Sequence, residues 1–238
     1  MTHVPYLVQL DELYSRAQQL ASAGERRLLG ITGPPGAGKS TLARAVVAEA
    51  GRSARLVEMD GFHLSQSRLA ELGRLERKGA IDTFDGVGFL ELVLRLRRQG
   101  TETVYPPQFR RDLEEPVAGS LAVEPEAKLI VVEGNYLLVP QEPWGKLRAL
   151  FDEVWYCEPG EDVRLQRLVS RHQRFGKSDD EARRWALGSD QRNADLVAST
   201  RGSADVIVGP VRPAATRPTR LESVGAPLVP PVPDGPRS

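Results

Sequence analysis

Hydrophobic positions along the chain follow two alternating rhythms. Leu10, Leu13, Tyr14, Ala17, Leu20 and Ala21 recur at helical spacing, which predicts an amphipathic helix over residues 7–22, ended by Gly24. Short apolar runs at 28–32, 54–60, 128–133, 153–157 and 203–208 read as strands. Between them lie helical patterns: an Ala-rich one at 41–50, a polar one at 65–78, and one at 87–99 whose buried face is Phe89, Leu90, Val93 and Leu94. A short helix is predicted at 143–150. At 161–174, Leu165, Leu168, Val169 and His172 form one apolar stripe, and a second helix follows at 179–197 as the other arm of a hinged pair. Strands alternating with helices predict an α/β domain.

Residues 101–127 break the rhythm, and Pro106-Pro107 rules out a helix there. A long polar segment between core elements is often a functional loop. From Pro210 onward the pattern ends: this stretch holds eight of the 18 prolines, and residues 215–238 read as a flexible tail after a single domain over 1–214.

Composition narrows the function classes. The 238 residues suit one α/β domain, and 32 basic residues balance 32 acidic ones, so no bulk field favours nucleic acid or an anionic membrane. Cys157 stands alone, no apolar stretch is long enough to span a bilayer, and no signal-peptide pattern opens the chain. A reducing, cytoplasmic setting is expected, with Cys157 a packing residue.

The chemistry centres on Gly33-Pro34-Pro35-Gly36-Ala37-Gly38-Lys39-Ser40, followed by Thr41. This is G-x-x-x-x-G-K-[ST] between a predicted strand and a predicted helix, the context a phosphate-binding loop requires. Its glycines let successive N–H groups turn toward phosphate oxygens, and the helix N-terminus adds partial positive charge. Lys39 is suited to the β- and γ-phosphates, and the Ser40 hydroxyl to Mg²⁺.

Other candidates lie where strands end, the place ligands occupy in open α/β sheets. The second strand ends on Asp60-Gly61-Phe62-His63. A carboxylate there can take the proton of an attacking hydroxyl, cap a turn or help order Mg²⁺. The third strand ends on Glu133-Gly134-Asn135-Tyr136. Its acid suits the Mg²⁺ water shell or orientation of the nucleophile. Asp82 and Asp85 read as caps, Asp85 for the next helix. Arg110 and Arg111 are either solvated or face an anionic or hydroxylated substrate. Arg164, Arg167 and Arg171 share a second face of the 161–174 helix, either solvated or closing over phosphates.

Together these residues resemble the phosphoribulokinase/uridine kinase family of P-loop kinases, in the branch labelled fructose-transport-system kinase, uridine kinase-like or nucleoside triphosphate hydrolase. The resemblance runs from about Leu28 to Val208. It is carried by the glycine loop, Met59-Asp60-Gly61-Phe62-His63, Lys78-Gly79-Ala80 with Asp82-Thr83-Phe84-Asp85, Glu133-Gly134-Asn135-Tyr136-Leu137-Leu138, Arg167 with Arg171-His172, and Asp190 with Asn193. The Asp-Gly-Phe also resembles that of P-loop pantothenate kinases. The resemblance implies a three-layer α/β/α P-loop fold with a five-stranded parallel sheet and an arginine-bearing helical lid at about 160–197. It implies Asp60 as general base, Glu133 as the Mg²⁺-shell acid, and Arg167 and Arg171 as lid residues on the phosphates. His63, Arg111, Asn135 and Tyr136 become substrate-side residues. Where the branch has Phe-Asp-Arg, this chain has Phe109-Arg110-Arg111, which favours a more anionic acceptor.

The reading is an Mg·ATP-dependent kinase acting on a hydroxyl of a small metabolite: a sugar, a nucleoside or a pantothenate-like alcohol. The small-molecule acceptor is the expected partner, without nucleic acid or membrane, and a homodimer is admitted as the assembly. The rival reading is an NTPase that drives a conformational change in a protein partner. The polar cluster of Asp60, His63, Arg111, Asn135 and Tyr136 argues against it, since a pure switch needs no second pocket.

Overall fold

Strands and helices alternate from the start of the chain in the computed structural model, which describes residues 4–98 and 100–212. The order is β1 (Tyr6–Gln9), α1 (Leu10–Ala21), β2 (Arg27–Thr32), α2 (Lys39–Ala50), β3 (Ala54–Glu58), α3 (Gln66–Glu71), α4 (Gly86–Arg98), β4 (Gln108–Arg110), β5 (Glu115–Val117), β6 (Leu129–Glu133), β7 (Glu153–Cys157), α5 (Glu161–Arg174), α6 (Asp179–Leu187), α7 (Ser189–Ala198) and β8 (Val206–Arg212). Six strands form one sheet in the order β1-β8-β7-β2-β6-β3, with every pairing parallel.

All five expected strands are present, and the sheet has a sixth. Residues 7–9, expected as the first turn of a helix, belong to β1 and pair with the far end of β8. The helix starts at Leu10, where Asp11 and Glu12 meet its positive N-terminal dipole. Helical periodicity alone did not separate the two, because Leu7 fits either pattern.

Side chains alternate across the sheet, so each strand feeds two cores. In the fully buried β6, Ile130 and Val132 join Phe89, Val93, Tyr136 and Trp144 on one face. Leu129 and Val131 join Leu13, Ala17, Leu42 and Val46 on the other. Near-continuous burial on both faces is what a central parallel strand requires. The register brings Ile31, Glu58 and Glu133 level, so β2, β3 and β6 end on one rim.

Several other boundaries shift. After Glu58 the chain leaves the sheet as a 3₁₀ turn, Met59–Phe62, so Asp60 lies just beyond the strand. The segment 65–78 is α3 followed by a 3₁₀ turn at Leu75–Arg77, and 143–150 is two 3₁₀ turns, Trp144–Lys146 and Arg148–Leu150. The irregular segment 101–127 contains an antiparallel hairpin, β4 with β5. The second lid arm breaks at Gly188 into α6 and α7; a capping box of Ser178 and Glu181 starts α6. Asp85 does cap α4, its Oδ1 accepting from Gly88 N at 2.8 Å. Asp82 instead pairs with Arg77 at 2.8 Å and Arg74 at 3.4 Å. The stretch expected as a flexible tail, 215–238, lies outside the described residues. Among the described residues no helix is long and apolar enough to cross a membrane.

Candidate active site

The glycine loop sits between β2 and α2. Gly38, at φ +90°, is the N-cap of α2. Gly33, at φ +143°, lies so close to β7 that a Cβ there would come within 2.7 Å of the Cys157 carbonyl oxygen. Both positions demand glycine, one by conformation and one by contact as well. The loop therefore turns tightly ahead of a helix start, closed by the Ala37 N–H donating to the Pro34 carbonyl at 3.0 Å, in the arrangement that cradles phosphate.

Behind the cradle, Lys39 and Glu133 are both buried. Lys39 Nζ donates to the Pro34 carbonyl at 3.1 Å and stands 3.9 Å from Glu133 Oε1. Ser40 Oγ donates to Glu133 Oε2 at 3.1 Å. Burial drives the Lys39 pKa down and the Glu133 pKa up, to about 7, while each partly offsets the other's shift. Two hard oxygen donors, one hydroxyl and one carboxylate, suit a magnesium ion that keeps waters and takes phosphate oxygens. Among the described residues no cluster of three or more His, Cys, Asp or Glu forms a dedicated metal cage. The residues present thus fit Mg·ATP.

The arginine face of α5 divides in two. Arg164, 2% exposed, is built into the structure: Nε donates to Glu161 at 2.8 Å, Nη1 to the Pro35 carbonyl at 3.4 Å, and Nη2 to Gln191 of α7. Arg167 is exposed, with Nη1 3.4 Å from the Ala37 carbonyl. Arg171 is half-buried and close enough to Lys39 for its charge to lower the ammonium pKa further. His172 is partly packed as expected; its Nε2 meets Asp190 at 2.7 Å and ties α5 to α7.

On the other side, Asp60 is near enough to act electrostatically on both Lys39 and Glu133, yet its side chain is 38% exposed. Arg111, at the tip of the β4–β5 hairpin, places Nη2 3.9 Å from Asp60 Oδ2. The hairpin is seated by a close approach: a Cβ on Gly61 would fall 2.4 Å from the Pro107 carbonyl oxygen. His63 lies between Phe84 and Phe109, with ring centroids 4.0 and 5.1 Å away. Its Nδ1 is 2.9 Å from the Asp60 carbonyl, which can only accept, so Nδ1 carries the proton. Burial lowers the His63 pKa, leaving a neutral ring with Nε2 as an acceptor.

Not every expected substrate-side residue opens onto this space. Tyr136 is fully buried among Phe84 and Trp144, and its hydroxyl donates to the Gly79 carbonyl at 2.7 Å. It holds the 78–85 loop in place, with help from Asn193 Nδ2 at 3.3 Å from the same carbonyl. Asn135 is half-buried, and its carbonyl accepts from Thr32 Oγ1 at 3.0 Å. Arg110 is exposed and paired with Asp112 at 2.8 Å, so the departure at Phe109-Arg110-Arg111 adds no unbalanced charge. Cys157 is buried and its thiol is pushed up to about 12 by desolvation, which leaves it a packing residue.

Sequence reasoning did not find the cleft of about 430 Å³ beside the loop. It is lined chiefly by Gly38, Thr41, Leu42, Cys157, Val208 and Pro210, and is largely apolar, as a flat heteroaromatic ring requires. Gly209 and Pro210, just after Val208 in β8, complete its wall. Leu10 of α1 also reaches it, a contact that no local signal announces.

Comparison with known proteins bears on this geometry. A Schizosaccharomyces pombe protein named as a candidate uridine kinase, C227.14, is 31% identical over 220 residues, spanning 87% of this chain and 93% of that one. The chain belongs to the P-loop kinases of the phosphoribulokinase/uridine kinase family. A crystal structure from Silicibacter sp. TM1040, described as a candidate fructose transport system kinase, matches this P-loop kinase with a TM-score of 0.76 and 35% identity, over 84% of this chain and 98% of that one. The Saccharomyces cerevisiae protein YFH7 matches with a TM-score of 0.75 over 86% of this chain and 99% of that one; at 18% identity it shares the fold alone. The family model for "ATPase family associated with various cellular activities (AAA)" matches residues 29–85 of the kinase, the strand–loop–helix that carries the glycine loop and the segment after it.

Proposed function

We propose that this P-loop kinase transfers phosphate from Mg·ATP to a hydroxyl of a small metabolite: a sugar or sugar derivative, a nucleoside, or a pantothenate-like alcohol. The observation that carries this reading is the position of Asp60. It lies within electrostatic reach of Lys39 and Glu133 and is open to solvent beside Arg111 and His63. A phosphate site and a polar acceptor site thus share one rim.

The loop amides, Lys39 and Ser40 would hold the nucleotide phosphates, with Ser40 and Glu133 holding Mg²⁺, directly or through water. Bound Mg²⁺ would supply charge neutralisation on the phosphates. Asp60 accepts the proton of the acceptor hydroxyl, or orients that hydroxyl, as the general base. Arg167 and Arg171 approach the loop from α5 and add positive charge where it develops in transfer. Closure of the lid excludes water and limits hydrolysis. Arg111 donates to the acceptor, and His63 Nε2 accepts from one of its hydroxyls.

The test is ADP release from Mg·ATP against a panel of sugars, nucleosides and pantothenate-like alcohols, with Lys39→Ala as the blank. Strong stimulation by one acceptor, lost in the blank, supports the reading and names the substrate class. Steady hydrolysis that no acceptor changes overturns it in favour of an NTPase acting on a protein partner.

A further inference from the structure

The two ends of the lid helix face different parts of the molecule. Near the middle of α5, Arg167 approaches the Ala37 carbonyl of the phosphate loop, and Leu168 lies against Gly36. Eight residues beyond Arg167, or about 12 Å along the axis, Phe175 closes the helix. Its N–H donates to the carbonyls of Arg171 and His172, both at 3.2 Å. The residue is 53% exposed, so it adds little to a core. What it meets is the Arg111 guanidinium, whose Cζ lies 5.9 Å from the ring centroid, within cation–π range.

Arg111 needs such a contact. It has a long side chain, 48% exposed, and its nearest carboxylate, Asp60, is 3.9 Å away and exposed as well. An ion pair of that kind holds a side chain only weakly. The backbone at the turn of the hairpin is fixed by other contacts: Glu115 Oε1 accepts from Gln66 N at 2.8 Å, and Lys78 Nζ donates to the Glu114 carbonyl at 2.7 Å. The Arg111 side chain, on that same turn, is left to Asp60 and Phe175. Among the described residues no hydrogen bond or ion pair joins this hairpin directly to the phosphate loop.

We propose that Phe175 is a positioning residue for Arg111, so that α5, already packed on the phosphate loop and held more firmly when Arg167 and Arg171 engage its occupant, steadies the β4–β5 hairpin at the acceptor end of the site. The inference rests on the nucleotide-binding reading above and adds a coupling to it. Arg167 and Arg171 sense the nucleotide, and Phe175, on the same rigid helix, transmits its presence to the acceptor side. Occupancy of one site prepares the other, and by linkage the acceptor tightens the nucleotide by the same factor.

Hydrogen exchange on the full chain tests this without knowledge of the acceptor. The probe is Mg²⁺ with a non-hydrolysable ATP analogue. In the unaltered protein and in Phe175→Tyr, amides at 33–41 and at 108–117 both slow on addition, the hairpin by about threefold or more. In Phe175→Ala the loop amides slow as before, while the hairpin no longer responds. Arg111→Ala behaves like Phe175→Ala, and the double substitution adds nothing further. A hairpin that responds equally in Phe175→Ala, or that fails to respond in the unaltered protein while the loop does, overturns the proposal. Absence of slowing at 33–41 in every form removes the nucleotide reading and the coupling with it. Phe175 is half exposed, so its replacement leaves folding intact, and protection of the core strands checks this directly.

Discussion

The Ser40 hydroxyl donates to the Glu133 carboxylate at 3.1 Å, joining the first turn of α2 to the end of β6. Two residues 93 positions apart are thereby held together beside the phosphate loop. Glu133→Gln keeps the shape and one acceptor oxygen but removes the charge. ADP release should fall by about 10²–10³-fold, with the thermal midpoint lowered, because the buried Lys39 ammonium loses the carboxylate that offsets its burial. Steady-state assay beside a thermal melt reads both; full activity in Glu133→Gln would show that the acid is dispensable.

Asp60→Asn should lower turnover by about 10²–10⁴-fold while nucleotide affinity stays within error, if the carboxylate serves the acceptor as proposed. Calorimetric titration with a non-hydrolysable ATP analogue separates the two effects. Intact turnover would end the general-base assignment.

Arg164 and Arg167 are one turn apart on α5 but should fail differently. Arg164→Ala strips partners from Gln191 and Pro35 and should cost about 1–3 kcal/mol, seen as a lower urea midpoint. Arg167→Ala, at an exposed site, should leave that midpoint in place and reduce turnover. Equal stability losses in the two variants would contradict the division between a structural and a functional arginine.

His63 supplies a pH dependence. Burial lowers its folded-state pKa below the ordinary 6.5, against opposing pulls from Asp60 and Glu114 and a reinforcing push from Lys78. The unfolded chain therefore binds more protons than the folded one as pH drops below 6.5, so this group's contribution is full above 6.5 and is lost as pH falls toward the folded pKa. His63→Gln should flatten that part of the stability curve. Chemical denaturation between pH 7.5 and 5, on the two proteins side by side, checks the sign; identical slopes would refute it.

The parts of this site that could be read from the sequence are those in which neighbouring residues carry the chemistry. The glycine loop is contiguous, and β2, β3 and β6 are apolar runs whose last residues necessarily face the ligand rim. Arg164 and Arg167 looked alike because helical spacing gives a shared face, not depth; contacts with Pro35 and Gln191 decide which is buried. Tyr136 follows Asn135 directly but is drawn into the aromatic cluster by Trp144 and by Phe84, the latter far off in the chain. The β4–β5 hairpin was hidden by its brevity: three-residue strands, one containing Pro116, leave no periodicity to detect. The break at Gly188 lay inside an otherwise helical pattern, where an isolated glycine is often tolerated.

The sheet order β1-β8-β7 has a consequence for biosynthesis. β8 is the last strand described, yet it lies between the first strand and the body of the sheet, and its residues from Val208 to Pro210 wall the cleft beside the phosphate loop. A nascent chain still lacking residues 206–212 has no partner for β1 and no far wall for a nucleobase. The loop, Lys39 and Glu133 all precede β8 in the chain, so among the described residues this wall of the cleft is the part of the site synthesised last.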